Sequence, residues 1–138
     1  MGMENSFKVK TKYNEVLINW WSNFISLHNY IRDNFDGKVD DTTYNCSVKD
    51  LKLLKVNLET VYKELLNIGE EGVCFYDTEE YPASMERVLP LVSNYYFRPV
   101  RDCNGFKIMK LYNTVTILID ILNSDFDKEY EVVYECSQ

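Results

Sequence analysis

The fold depends on residues 14–35, a stretch with the sequence NEVLINWWSNFISLHNYIRDNF. Its apolar residues recur at alternating spacings of three and four, which is the period of one helix face. This stripe consists of Leu17, Trp21, Phe24, His28, Ile31 and Phe35. The spacing predicts a first helix over 14–35. It ends at Asp36-Gly37, because glycine adopts the left-handed cap conformation without strain.

The same periodicity predicts two further helices. The second begins at Ser47, where Ser47 and Asp50 resemble a capping box, and it continues to residue 68. Its stripe is Leu51, Leu54, Leu58, Val61, Leu65 and Ile68. The third spans about 106–122, beginning at Gly105 or Phe106, although its Val-Thr-Ile-Leu-Ile run also favours β-structure. Its inward residues are Ile108, Leu111, Val115, Leu118 and Leu122.

Short extended segments are expected around these helices. Residues 7–13 alternate apolar and polar as an edge strand does, with lysines that guard the edge, and residues 130–136 form a closing strand. Residues 72–77 are a further strand candidate, and 81–92 one or two helical turns broken at Pro90. The predicted fold is α+β but mainly α, with three principal helices around one core and short strands near the termini. The core is expected to contain Trp21, Phe24, Leu54, Leu58, Val61, Leu111, Val115 and Leu118.

Length and composition fit a single domain over 1–138. The chain has 138 residues, and its 46% hydrophobic and 27% charged content is that of a globular protein, which excludes disordered and fibrous classes. It contains no apolar run of the roughly eighteen residues that cross a bilayer and no secretory signal. Met3 suggests a native start, so we expect residues 1–2 to be a cloning remnant rather than Gly2 a myristoylation site.

The cysteines and the charges exclude several function classes. Four cysteines without a Cys-x-x-Cys pair, beside a single histidine, do not fit the usual structural zinc spacings, and in a cytoplasmic protein they predict free thiols. The net charge of −7 argues against direct nucleic-acid binding. Residues 1–69 carry nine basic and nine acidic side chains, whereas 70–138 carry six and thirteen. The acidic excess is either a solvated surface or a surface that meets a basic partner.

Three groups of residues are candidates for a site. His28 shares a helical face with Trp21 and is either a hydrogen-bonded core residue or part of a pocket with an aromatic wall. Asp40 and Asp41 could hold a hard cation, although a turn or cap role is more common for such a pair. The run at 95–97 is aromatic and is followed by Arg98 and Arg101. Aromatic faces stack nucleobases and arginines hold phosphates, while the alternative is a buried turn with two solvated arginines.

The order of several short motifs resembles a widespread family of small uncharacterised phage and prophage proteins. That family carries a Trp-Arg-Lys-x-Asn-x-Ile-His-x-Trp-Phe helix, an Asp-Gly-Val-Asp-Asp loop, a Val-Ser-x-x-x-Leu helix start and a Leu-Pro ahead of a Gly-Phe-Phe-Phe-Gly turn. It ends in a C-terminal Tyr-Tyr-Gln-Ser-Ser-Trp. The matching pieces of this chain are Trp21, 27–31, 36–41, 46–51, Leu89-Pro90, 94–97 and 133–138. The family's Arg-Lys pair is replaced by Ser22-Asn23 and its Asn by Ile25. The resemblance implies a phage gene and the host cytoplasm, and it supplies no established activity.

Three function classes remain for such a protein. The first is a non-enzymatic counter-defence protein that sequesters a nucleotide-derived immune signal, and it fits the aromatic run and His28. The second, ranked just below it, is an anti-CRISPR or other inhibitor whose acidic surface blocks a host defence protein. A small enzyme around His28 has least support, because a general base without a second catalytic group is only a histidine.

The predicted site follows from the first class. Its ligand-binding residues are expected to be Trp21, His28, Tyr96, Phe97, Arg98 and Arg101. No cofactor, metal or catalytic residue is expected, and neither is a membrane partner. The expected partner is a small nucleotide or a host defence protein, and homo-oligomer formation stays open.

Overall fold

Six strands and four helices make up the described part of the chain, which in this computed structural model comprises residues 2–68, 83–93, 96–124 and 130–137. The strands are β1 (Glu4–Lys10), β2 (Glu15–Ser22), β3 (Thr43–Asn45), β4 (Val92–Ser93), β5 (Pro99–Val100) and β6 (Glu131–Ser137). The helices are α1 (Ile25–Asn34), α2 (Val48–Ile68), α3 (Ala83–Val88) and α4 (Gly105–Leu122). The predicted strand at 72–77, Gly69 and the side chain of Ile68 lie outside the described residues.

The main sheet is antiparallel and has the strand order β2-β1-β6-β3, while β4 and β5 form a separate two-stranded sheet. β1 pairs with β2 on one side and with β6 on the other, so that Phe7 lies between Asn19 and Tyr134. Ile18 is a bulge residue that has no opposite partner on β1. The prediction of a mainly α fold with only short strands near the termini is wrong, because a four-stranded sheet forms one layer of the protein.

The predicted helix over 14–35 is the main error, since its first half is the strand β2 and only its second half is the helix α1. Residues 16–21 are rich in β-branched and aromatic side chains, and a tight turn after β1 brings this segment beside a strand partner. The break lies at Asn23, whose φ of 57° is incompatible with a continuous helix. In the strand, Leu17 and Trp21 point to opposite faces of the sheet, so the apparent stripe is not a surface.

The other two predicted helices are confirmed. α2 begins one residue after Ser47, whose Oγ accepts from the backbone N–H of Asp50 at 3.1 Å, as a capping residue does. α4 begins at Gly105, and a short α3 ends before Pro90. Within the described ranges, no helix combines the length and the apolar character that crossing a membrane requires.

The two predicted strands are confirmed as strands, but their position in the sheet is not the expected one. β1 is a central strand, so its lysines do not guard an edge. Lys8 and Lys10 lie on the outer sheet face instead, where the Lys8 ammonium is 3.0 Å from Glu15 and 2.9 Å from Glu135. β2 is one of the two edge strands, and no charged residue interrupts it between Val16 and Trp21.

The helices cover the inner face of the sheet, and one hydrophobic core lies between the two layers. All eight predicted core residues are buried. Phe7 and Tyr134 join them, as Phe7 packs edge-on against Trp21 and Tyr134 at ring-centroid distances of 6.1 and 5.4 Å. This aromatic cluster connects the sheet to the start of α1.

Gly37 lies after α1, but it does not end the helix as the predicted left-handed cap. The cap residue of α1 is Phe35, which has extended backbone, and no left-handed glycine ends the helix. A Cβ at Gly37 would lie 1.8 Å from the carbonyl oxygen of Asn45, whose amide donates to the Gly37 carbonyl at 2.7 Å. Glycine is required here because the backbone of β3 approaches closely.

Candidate functional site

The tip of the β4–β5 hairpin is the most exposed of the sequence-predicted site regions. β4 and β5 pair Val92 with Val100 and Ser93 with Pro99. Tyr96, Phe97 and Arg98 lie in the connection between the two strands and are exposed. The side chain of Phe97 is 90% exposed, and its φ is 59°. A left-handed backbone costs a non-glycine residue about 1–2 kcal/mol, and for a bulky aromatic residue it is a rare conformation.

Arg101 fixes the base of this hairpin. Its guanidinium donates to the carbonyl oxygen of Leu89 at 2.6 Å and forms an ion pair with Glu86, and its side chain is largely buried. The planar fork of an arginine suits a phosphate, but here the fork holds the end of α3. Arg101 therefore has a structural task in this fold.

The residues after Arg101 cap two helices. Asp102 accepts from the backbone N–H of Ser26 at 2.8 Å and from its hydroxyl at 2.6 Å, which places a carboxylate at the N-terminus of α1. Asn104 accepts from the backbone N–H of Lys107 at 2.9 Å at the start of α4. The Lys107 ammonium returns to the Asp102 carbonyl at 2.7 Å and lies 5.1 Å from the Phe24 ring. This segment binds α1, α4 and the hairpin base together.

Trp21 lies in the core, with its indole packed edge-on against Phe7 and Phe24. The ammonium of Lys110 lies 5.2 Å from the centroid of its ring, which is a cation–π contact. Among the described residues, the buried Nε1 of Trp21 has no hydrogen-bond partner. The ring is therefore part of the packed interior and not of an open aromatic wall.

His28 belongs to a polar network that extends into the core. Its Nδ1 lies 3.1 Å from the hydroxyl of Tyr134, which accepts from the side-chain amide of Asn5 at 2.8 Å. Asn5 is fully buried, and its amide group also bonds both the N–H and the carbonyl of Phe24 at 3.0 Å. The Asn5 side chain thereby holds the junction between β2 and α1, in the way a neighbouring strand would.

The protonation states in this network favour hydrogen bonding over acid–base chemistry. Burial lowers the pKa of His28, and the positive charge of Arg32 adds to the shift. Burial also raises the pKa of the Tyr134 hydroxyl well above its ordinary value. When His28 is neutral and its Nδ1 accepts, the Tyr134 hydroxyl donates to His28 and accepts from Asn5. The hydroxyl then has a partner both as donor and as acceptor. His28 is therefore hydrogen-bonded, as the core interpretation expects, but its ring is only half-buried and is not itself part of the core.

Asp40 and Asp41 have local partners. Asp40 accepts from the backbone N–H and the hydroxyl of Thr42, both at 2.8 Å, and these bonds lower its pKa. Asp41 forms an ion pair with Lys38 at 2.9 Å. Within the described ranges, no group of three or more His, Cys, Asp or Glu side chains is placed to hold a metal ion. This pair therefore stabilises the turn before β3.

The six predicted site residues divide into two sets. Trp21 packs in the core, and His28 hydrogen-bonds to Tyr134 of the sheet. Tyr96, Phe97 and Arg98 lie at an exposed tip, and Arg101 holds the base of that hairpin. Their role in binding a ligand stays a prediction. Sequence reasoning missed Asn5, Asp102 and Tyr134. The pairing of Asp102 with Ser26 spans 76 residues of chain, so no local pattern predicts it.

Two further predictions are only partly covered by the described residues. Cys46, Cys103 and Cys136 are free thiols, as expected, and burial raises the pKa of Cys46 and Cys103 to about 12, whereas Cys74 lies outside the described residues. Part of the acidic excess of the second half lies at 125–135, and of these, residues 125–129 lie outside the described residues as well. Glu131 is exposed, and Glu135 is paired with the two lysines of β1.

Comparison of the chain with protein-family models, with curated proteins and with solved structures finds no significant match. The geometry defines an α+β protein with a packed polar network under its first helix and an aromatic hairpin tip on its surface.

Proposed function

We propose that this protein is a non-enzymatic binding protein that engages a host defence protein through the hairpin tip formed by Tyr96, Phe97 and Arg98, and blocks it during phage infection. The observation that carries the proposal is Phe97, a large apolar side chain that is almost fully exposed and held in the left-handed region.

The backbone at Phe97 supports a role for the ring itself. A glycine would adopt this conformation without strain, and a polar residue would avoid the exposure of an apolar ring to water. The chain carries a phenylalanine there despite both costs. Strained backbone and exposed aromatic rings recur at binding sites, where the partner covers the side chain.

The shape of the region favours a macromolecular partner. Sites for small molecules are concave and cover most of the ligand surface, whereas a projecting tip covers little of a nucleotide. Tyrosine and arginine are also frequent energetic centres of protein–protein interfaces. This reverses the order that the sequence suggests for the first two function classes.

The phage setting rests on the family resemblance and the charge. A phage protein of this kind acts in the host cytoplasm, where defence proteins with basic nucleic-acid channels are targets. A net charge of −7 would steer the protein toward such a target, with an effect that weakens as salt rises.

Sequestration of a nucleotide-derived immune signal is the second candidate. It is favoured by the position of Arg98 directly after two stackable rings. A nucleotide bound at a hundred times its dissociation constant should stabilise the protein by about 2.7 kcal/mol. Melting curves with cyclic nucleotides and cyclic ADP-ribose isomers measure this, and a shift that Arg98→Ala removes would favour the second candidate.

The test of the first candidate is phage protection in hosts that carry either a CRISPR system or a nucleotide-signalling system. The wild-type chain should protect phage from the first system, and Phe97→Ser should abolish protection without lowering the melting temperature. Val56→Ser is the matched control, because Val56 is an exposed apolar residue on α2. Equal protection by the Phe97 variant, or no protection by the wild type, would reject the proposal.

A further inference from the structure

The edge strand β2 exposes apolar side chains that have no counterpart on the other strands of the sheet. Leu17 and Trp20 are about half exposed, at 50% and 47%, and both lie on the outer face because they stand opposite Lys8 and Ser6 of β1. Around the edge, Val16 and Ile18 continue this apolar surface into a groove of about 480 Å³ beside Ile117 and Ile121 of α4. Natural edge strands are commonly protected by lysines or prolines. The sequence of β2 has neither between its ends, and the lysine that reaches this edge is Lys110 of α4, at the Trp20 carbonyl.

The backbone of β2 presents hydrogen-bonding groups along this edge. Trp20 directs its amide and carbonyl away from β1, since the amide donates to the Asn19 side chain and the carbonyl accepts from Lys110 at 2.8 Å. At the turn, the Thr11 amide donates to the Asn14 carbonyl at 2.8 Å. Antiparallel pairs alternate from that point, which turns the backbone of Leu17 away from β1 as well. The bulge at Ile18 shifts this alternation by one residue.

Because of the bulge, one antiparallel register suits the pairing of two β2 strands better than the others. In β2, the residues whose backbone N–H and C=O groups point away from β1 are Glu15, Leu17, Trp20 and Ser22, and we call them the outward residues. When two β2 strands pair antiparallel with Leu17 opposite Trp20 of the second copy, Glu15 lies opposite Ser22, and every outward residue meets an outward residue. A register that pairs Leu17 with Leu17 of the second copy places Glu15 opposite Asn19. The backbone groups of Asn19 point toward its own β1, so in this register the hydrogen bonds between the copies stop after two residues.

We propose that two copies of this chain pair through β2 in this register, around a two-fold axis, to form one continuous eight-stranded sheet. Each interface then contains two Leu17–Trp20 cross-strand contacts on the outer face, and such aliphatic–aromatic pairs are among the favourable ones in sheets. The Leu17 amide of one copy replaces the Lys110 ammonium as donor to the Trp20 carbonyl of the other.

Charge permits this contact in spite of the net charge of the chain. Residues 1–22 contain three lysines and two glutamates, and Glu15 is already neutralised by Lys8. A second copy therefore meets a nearly neutral strip, whereas a strongly basic partner would find no acidic row on it.

The interface is small, so the association should depend on concentration. One edge strand from each copy buries less than the roughly 1,600 Å² of a standard stable interface. Light scattering after gel filtration, from micromolar to millimolar protein, should show the mass rising from 16.4 kDa toward twice that value. A constant monomer mass over this range would overturn the proposal.

Charge exchange tests the register. Leu17→Glu alone and Trp20→Lys alone should each give monomers, because each places a charge opposite an apolar residue of the second copy. The double variant should dimerise again, since the introduced glutamate of each copy then lies opposite the introduced lysine of the other copy. Leu53→Glu, at an equally exposed leucine of α2, is the control and should dimerise as the wild type does. A dimeric single variant, or a double variant that stays monomeric with a native circular dichroism spectrum, would overturn it.

Discussion

Residues 14–35 and helix α2 carry the same kind of apolar stripe but fold differently. In α2, the spacing of three and four coincides with a local cap at Ser47 and with many lysines, glutamates and leucines, which are strong helix formers. In 14–35, the spacing coincides with a run of β-formers beside a tight turn, and the first half pairs with β1. Periodicity predicts a helix reliably where composition and caps agree with it, and fails where a nearby strand offers a better partner.

The largest expected effect separates the two stripes directly. Leu58 is fully buried on α2, so Leu58→Ala should lower the free energy of unfolding by about 2–5 kcal/mol. Leu17→Ala should cost about 0.5 kcal/mol or less in the monomer, because Leu17 is half exposed on a strand. Urea denaturation at low protein concentration measures both. Equal losses would mean that Leu17 faces the core, as the helical interpretation requires.

The junction between β2 and α1 should be the next most sensitive point. Asn5→Leu removes three hydrogen bonds to Phe24 and Tyr134 and leaves the buried N–H of Phe24 without its acceptor, which should cost about 3 kcal/mol. Chemical denaturation provides the measurement. Asn113→Leu, at an exposed asparagine of α4, should change stability little. A loss below that of the control would show that the strand-to-helix break does not depend on Asn5.

The caps of α1 and α2 provide a comparison of distant and local signals. Asp102→Ala removes two hydrogen bonds at the start of α1 and should cost about 1–2 kcal/mol, while Ser47→Ala at α2 should cost about 1 kcal/mol. Asp102→Asn retains an acceptor and should recover part of the loss. Thermal unfolding of the three variants tests this, and an Asp102→Ala variant as stable as wild type would contradict the long-range cap.

The smallest effect concerns pH and belongs to the first helix alone. The folded pKa of His28 is lowered, so the unfolded chain binds a proton first, at its ordinary value of about 6.5. The stability that this histidine contributes is complete above that pH and declines as the pH falls through it. Denaturation midpoints from pH 8 to 5 should decline less for His28→Gln than for wild type. Parallel profiles would show that burial and the charge of Arg32 do not favour the neutral ring.

Local sequence determined the elements whose signals lie within a few residues of one another. The leucine stripe after Ser47 predicts α2, the apolar spacing over 106–122 predicts α4, and the segments 7–13 and 130–136 are predicted as the strands that form β1 and β6. The eight predicted core residues are buried because large apolar side chains leave water whichever element carries them. The aromatic composition of the sequence also identified Tyr96 and Phe97, which lie exposed at the hairpin tip.

Tertiary structure decided the features that depend on partners far along the chain. β2 is a strand because β1 lies beside it, α1 begins at residue 25 because Asn5 and Asp102 hold its first turn, and β1 is central because β6 returns from more than a hundred residues away. Arg101 and Trp21 were candidates for a pocket by composition, and the fold uses one to hold α3 and the other to fill the core. A side chain's role is set by the atoms around it, and for these residues those atoms come from distant parts of the sequence.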